Sequence, residues 1–345
     1  MREIEFIYLS QSDVRQTGVD MQIAIDAVRD AFVLHHKGQT ILPFKTVVDM
    51  DERERGRGNA MPSYVGGEYD VFGIKWIAGF PKNPVRHGMP RASGLYVLND
   101  SWTGVPLAVM DCTLLSAMRT GAVTGLAAKY LARPDSETVG MIGAGVQART
   151  QLDALRVALP SLRSVRTFDI RPEVSNAYAD EVAARFGMEA SAVSSPEQAV
   201  RGADVIVTVT VADEPIVKDA WVEPGSFFAA VGSYQEEELE VIAHSQQVVV
   251  DGLEHVLHRG TPAVALAIKA GLIESQHVVE LGSILCGESP GRQNPQDRIF
   301  FSPIGMGTED NCLAYRVYQL AKQKGIGTRL ELFGTKSSLA SSGMQ

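Results

Sequence analysis

Residues 138–159 read TVGMIGAGVQARTQLDALRVAL, a short apolar strand, then Gly143-Ala144-Gly145-Val146-Gln147-Ala148, then an amphipathic helix. A glycine hexapeptide alone is weak evidence, but a strand before it and a helix after it make it a dinucleotide-binding turn. Gly143 permits the tight turn, Gly145 lets backbone approach a pyrophosphate, and Ala148 allows the helix to pack closely on the strand. The phosphates would then meet free N–H groups at the positive end of the helix.

Outward from this turn the texture stays regular. Strand-like segments at 138–142, 164–170, 205–211, 227–231 and 248–250 alternate with helices ending near Leu159 and Phe186, the pattern of a parallel sheet wound with helices. The second strand, SVRTFDI, places Asp169 twenty-six residues after Gly143, where a carboxylate accepts the ribose hydroxyls of NAD and repels a 2′-phosphate. Arg171 lies two residues on and could hold that phosphate, yet the acid favours NAD over NADP. Thr208, Val209 and Thr210 end the strand DVIVTVT, where hydroxyls suit the ribose and nicotinamide, although threonine is also ordinary strand filling.

Upstream, Asp20 can cap a helix whose face is Ile25, Val28 and Phe32, with Gly38 ending it. Strands are expected at 41–50, 73–77 and 94–98, and the mixed charge run 51–58 reads as a solvated hairpin loop. A buried Ala- and Leu-rich helix follows over 114–131, and helical periodicity returns over 311–324. The expected architecture is therefore α/β: an α+β unit first, then a Rossmann NAD-binding domain. The final SSLASSGMQ is expected to fray.

The chain has 345 residues, a net charge of -9 and 45% hydrophobic residues, enough for about two cores of ordinary size. Such acidity repels phosphate backbones, which argues against nucleic acid. No apolar run reaches the roughly 18 residues of a membrane helix, and Glu3 and Glu5 stand where a secretory signal would be basic, so no membrane and a cytoplasmic location are expected. Cys112, Cys286 and Cys312 are odd in number and far apart, which suits reduced thiols. His255 and His258 share a helix face, but no further ligand with suitable spacing accompanies them, so no metal is expected.

Four cations stand among apolar or glycine neighbours: Lys45 in ILPFKTVV, Lys75 in FGIKWIAGF, Arg91 in MPRASGLYVL and Arg119 in LLSAMRTGAV. Burying one costs several kcal/mol unless it finds a counter-ion. Together they are expected to converge on carboxylates near the nicotinamide, with Ser93 and His87 close to Arg91. Lys75, desolvated beside other cations, is one candidate base, with Lys45 and a bound water as the others.

AMPSYVGG, GIKW, LNDSWTGVPLAVMD, SAMRTGAVTGLAAKYLAR, IGAGVQA and PIGMGTED together resemble the ornithine cyclodeaminase and mu-crystallin family over nearly the whole chain. The resemblance implies a homodimer built on the amino-terminal sheet, with a substrate-binding and dimerisation domain from 1–115 and 318–345, a Rossmann NAD-binding domain over 116–317, and substrate in the cleft between domains. It implies that Lys75 and Arg119 bind the substrate carboxylate. By the same likeness Thr120, Gly232, Met306, Gly307 and Asp310 join Gly143, Gly145, Val146, Gln147, Ala148, Asp169, Ile170, Arg171, Thr208, Val209 and Thr210 around the cofactor.

Within the family, YLSQSDV, Lys45, PRAS, ELGSILCGESPGR and AYRVYQLAKQKGIGTRLEL are most similar to the branch that oxidises N-(2-amino-2-carboxyethyl)-L-glutamate for 2,3-diaminopropionate and siderophores. Its substrate, an amino acid with three carboxylates, suits four cations. Cyclodeaminases carry an acid where FFAAVGSYQEEEL places Tyr234, which counts against ornithine cyclisation unless Glu236, Glu237 or Glu238 takes its place. A mu-crystallin-like binding protein without turnover is the remaining alternative.

Overall fold

A computed structural model of the chain describes residues 4–50, 52, 56–212, 214–232 and 234–333. Two compact units divide between Ser116 and Ala117 and between Met306 and Gly307.

The first unit is built on a mixed sheet. Its strands are β1 (Ile4–Leu9), β2 (Thr40–Ile41), β3 (Thr46–Met50), β4 (Gly56–Val65), β5 (Val71–Gly79), β6 (Ala92–Asp100), β7 (Pro106–Asp111) and a last strand, Thr328–Phe333. From that last strand the order is β1, β7, β6, β5, β4, β2, with β3 also on β4. All pairings are antiparallel except β1 with β7. β5 alternates as its half-buried role requires: Val71, Gly73 and Lys75 are buried, while Phe72 and Trp76 are exposed.

Against the buried face pack two helices, Met21–His36 and Gly307–Lys324. Asp20 caps the first, its carboxylate accepting the Ile23 N–H at 2.8 Å, and Gly38 leaves it at φ +69°. Its apolar stripe Ile25, Val28 and Phe32 is buried as expected.

Two expectations are corrected here. The run 51–58 is not wholly loop: Met50 pairs with Gly56, so β4 begins inside it, while 51 and 53–55 lie outside the described residues. The second boundary falls at 307 rather than 318, because one continuous helix, Gly307–Lys324, packs along the Met21–His36 helix, β4 and β5. The terminal SSLASSGMQ also lies outside the described residues.

The second unit is a parallel sheet of β8 (Thr138–Ile142), β9 (Ser164–Phe168), β10 (Glu189–Ala192), β11 (Val205–Thr208), β12 (Phe227–Ala230), β13 (Gln247–Val250), β14 (Val278–Glu280) and β15 (Ile299–Ser302). The order is β10, β9, β8, β11, β12, β15, β13, β14. Every residue of β11 and β12 is buried, as parallel strands covered on both faces must be, and Phe228 stacks on Phe300 at 5.3 Å. β10, β14 and β15 carry too few residues to show a period in sequence. The helix Thr113–Leu131 forms as expected; at Gly121 and Gly125 the helix Val146–Ala158 approaches so closely that a Cβ would meet Thr150 and Ala154. Among the described residues no helix is long and apolar enough to cross a membrane.

Candidate dinucleotide and substrate site

The glycine turn is assembled in the second unit as its sequence demands. Gly143, at φ +96°, donates its N–H to Phe168 O at 2.8 Å, and its Cβ position lies 3.0 Å from Val209 O. Only glycine adopts that angle without strain. At Gly145 a Cβ would meet nothing within 4 Å, so the ground above the start of the Val146–Ala158 helix is open. Ala148 is fully buried, and its carbonyl accepts the Tyr178 hydroxyl at 3.0 Å.

Asp169 follows β9 directly. One of its oxygens accepts the Ala144 N–H and the other the Arg171 N–H, both at 3.0 Å, which leaves a lone pair on each for a hydroxyl. Arg171 Nε lies 3.7 Å from the same carboxylate, while Ile170 and Val146 are largely exposed on either side. Open ground at Gly145, an acid at the second strand and exposed apolar flanks fit a dinucleotide.

Beyond β11 the expected cofactor edge holds a feature of its own. Thr208 is buried and Thr210 half-buried, and Glu236 Oε1 accepts the Thr210 N–H at 2.6 Å. Glu236 and Glu237 are both buried; Glu238 accepts the Asp219 N–H and precedes the helix Leu239–Ala243. Among the described residues neither Glu237 oxygen has a hydrogen-bond partner; burial, with Glu236 beside it, pushes its carboxyl well above the usual range. Tyr234 is half-buried.

Arg119 is 9% exposed on the Thr113–Leu131 helix, and Thr120 is half-buried with its carbonyl accepting from Gln151. A Cβ at Gly305, φ +74°, would fall on the Arg119 guanidinium, so this glycine lets the cation lie against the 303–306 loop. Asp251, at the end of β13, fixes that loop: one oxygen accepts the Ile304 and Gly305 N–H groups at 2.8 and 2.6 Å, the other the Gly252 N–H at 2.9 Å. Met306 is buried, its sulfur 3.4 Å from where a Gly252 Cβ would lie. Sequence reasoning missed Asp251; an acid closing the buried strand VVVD was its only signal.

In the first unit Lys75 and Asp310 are each 1% exposed, and Nζ lies 2.8 Å from Asp310 Oδ2, with Ser116 Oγ at 3.4 Å. Tyr96, opposite Lys75 in register, is fully buried; burial first, then Asp310, raises its pKa. Burial likewise pushes the Cys112 thiol up to about 12, with Lys75 opposing.

A carboxylate at 2.8 Å is the counter-ion that the buried Lys75 requires. Two expectations change. Asp310, expected beside the cofactor, is buried against Lys75, and a Cβ on Gly307 would lie 3.2 Å from the Met61 and Pro62 carbonyls of β4. Ser93 pairs with Ala78 while Lys75 pairs with Tyr96, and the pleat therefore puts Ser93 on the opposite sheet face from Lys75. Lys45 is half-buried just before β3; Arg91 is exposed just before β6, with His87 at the end of a short helix, Asn83–His87.

A model of the ornithine cyclodeaminase/mu-crystallin family matches residues 6–325. An N-((2S)-2-amino-2-carboxyethyl)-L-glutamate dehydrogenase of Staphylococcus aureus is 33% identical over 95% of this chain and 99% of its own. Among solved structures, a Thermococcus litoralis Delta(1)-pyrroline-2-carboxylate reductase in complex with NADH and L-proline matches with a TM-score of 0.87 and 33% identity, over 94% of this chain and 99% of that one. An archaeal alanine dehydrogenase dimer with bound NAD matches with a TM-score of 0.88 and 34% identity, over 96% and 100%.

Proposed function

The chain belongs to the ornithine cyclodeaminase/mu-crystallin family and is an NAD-dependent oxidoreductase of amino-acid CH–NH bonds, and we propose that its substrate is N-(2-amino-2-carboxyethyl)-L-glutamate, released as 2,3-diaminopropionate and 2-oxoglutarate. The observation that carries the substrate is the likeness to the staphylococcal enzyme across 95% of the chain.

NAD supplies the hydride acceptor. The substrate amine, once deprotonated, expels hydride from the adjoining carbon as its lone pair forms C=N; water adds to that carbon, and collapse gives the keto acid and the free amine. The protein must fix that carbon at about 3–3.5 Å from the acceptor, which requires immobile carboxylate contacts. Lys75, paired with Asp310, and Arg119, lying on the Asp251-braced loop, are assigned to substrate carboxylates, with Lys45 and Arg91 serving the others. The substrate proton goes to Lys75, Lys45 or a bound water.

A homodimer is part of the same proposal. Phe72, Trp76 and Leu95 form an exposed apolar patch on the face of the first sheet away from Lys75, and the archaeal alanine dehydrogenase is a dimer. A cytoplasmic place in siderophore precursor synthesis follows from the substrate.

Alanine oxidation is the second choice, favoured by the 34% identity and TM-score of 0.88 to that dehydrogenase. The test is NADH formation with the glutamate adduct, alanine, ornithine, lysine and proline. The adduct should give the highest kcat/KM; ornithine should give no proline if Tyr234 holds the acid's place, and proline from ornithine would assign that place to Glu236, Glu237 or Glu238. Preference for alanine would replace the substrate and leave the family chemistry standing.

A further inference from the structure

The carboxyl ends of β11 and β12 hold a buried acid that hydride transfer, as described above, does not use. Glu236 is 1% exposed, and its backbone is pinned by the Ile216 and Val217 N–H groups, which donate to its carbonyl at 2.8 and 3.1 Å. Its side chain turns back onto the strand ends, with Oε1 on the Thr210 N–H at 2.6 Å and Oε2 where a Gly232 Cβ would stand. Among the described residues Oε2 is buried without a hydrogen-bond partner. Its pKa is raised on balance, because burial outweighs Thr210, Thr208 and Gly232, which favour the carboxylate.

Strand order says what this carboxylate meets. The order reverses between β8 and β11, with β9 and β10 on one side and β11 and β12 on the other. A dinucleotide crosses such a sheet at the reversal. Asp169 and the glycine turn claim the adenosine half for the β8–β9 side, so the nicotinamide half comes over Thr208, Thr210 and Gly232, the residues that surround Glu236. The oxidised ring is a cation and the reduced ring is neutral. A fixed carboxylate in a low-dielectric setting therefore distinguishes the two redox forms, whereas a mere clamp on Thr210 would serve both alike.

We propose that Glu236 is the cofactor-binding residue that sets the preference of this protein for NAD+ over NADH. The inference rests on the NAD assignment above. Its test measures dissociation constants of the full-length protein for NAD+, NADH and AMP by fluorescence titration. Glu236→Gln keeps an oxygen for the Thr210 N–H and removes the charge; it should weaken NAD+ about tenfold and leave NADH and AMP within about twofold. Glu236→Asp should keep the NAD+/NADH ratio within about threefold of wild type. Equal weakening of both forms, or an unchanged ratio in the Gln variant, overturns the inference. Independently of any variant's folding, the wild type should bind nicotinic acid adenine dinucleotide, with its ring carboxylate, at least about tenfold more weakly than NAD+; equal affinity overturns the inference as well. A wild type that binds neither NAD+ nor NADH refutes the NAD assignment itself.

Discussion

Replacing Asp310 by Leu removes the carboxylate 2.8 Å from Lys75 Nζ, at a site where both side chains are 1% exposed. Losing one partner of a buried pair costs about 3–5 kcal/mol, because the remaining charge keeps its desolvation penalty. Lys75→Met should cost a similar amount by stranding the carboxylate. The double variant replaces both charges with apolar volume, which is often near neutral, so it should recover about 3 kcal/mol or more of the summed losses. Asp310 also lies in the first turn of the Gly307–Lys324 helix, where an acid contributes about 0.3–1 kcal/mol through the dipole. That smaller effect is lost in both Asp310→Leu and the double variant, so it cancels from the coupling. Urea unfolding at neutral pH, followed by tryptophan fluorescence with Trp76 next to Lys75 in β5, gives the four stabilities. A cost below about 1 kcal/mol for Asp310→Leu, or a double variant equal to the sum of the singles, would refute the pair as a coupled buried salt bridge.

Asp169→Ala should raise the NAD dissociation constant by about tenfold or more and narrow the preference over NADP, read by titration with both; a wild type that already prefers NADP removes the assignment. Arg119→Ala should lose about 3–5 kcal/mol in kcat/KM with little change in NAD affinity, and Gly305→Ala should reproduce part of that loss because its Cβ would displace the guanidinium. Equal loss of NAD binding by Arg119→Ala would place this cation on the pyrophosphate instead. Glu237 is an acid whose folded pKa is raised, so the native state binds more protons than the unfolded chain above the unfolded pKa, and stability falls as pH rises through that window. Glu237→Gln should flatten the slope of Tm with pH from mildly acidic to neutral conditions and raise Tm at neutral pH; parallel curves for variant and wild type would count against the buried acid.

The dinucleotide turn was legible because its causes are local. Gly143 needs a positive φ, Gly145 needs open ground, Ala148 must be small, and Asp169 ends the next strand, all within one strand-turn-helix-strand passage. The Asp20 cap and the long buried helix were readable for the same reason. What a buried cation pairs with is not local. Apolar neighbours say that Lys75 and Arg119 need stabilisation, but Asp310 is 235 positions from Lys75, and Gly305, the loop residue on which Arg119 lies, is held by Asp251 from another strand end. Sheet register alone put Ser93 on the face away from Lys75, since one residue's shift exchanges the faces of a strand. Likewise, three adjacent glutamates look alike in sequence, and only the packing of 236–238 against β11, Val217 and Asp219 separates a carboxylate on Thr210 from a buried acid and a helix-start acceptor. Sequence determined the elements, because backbone preferences act over a few residues; tertiary structure decided the charges, because desolvated groups are satisfied by whatever the fold brings beside them.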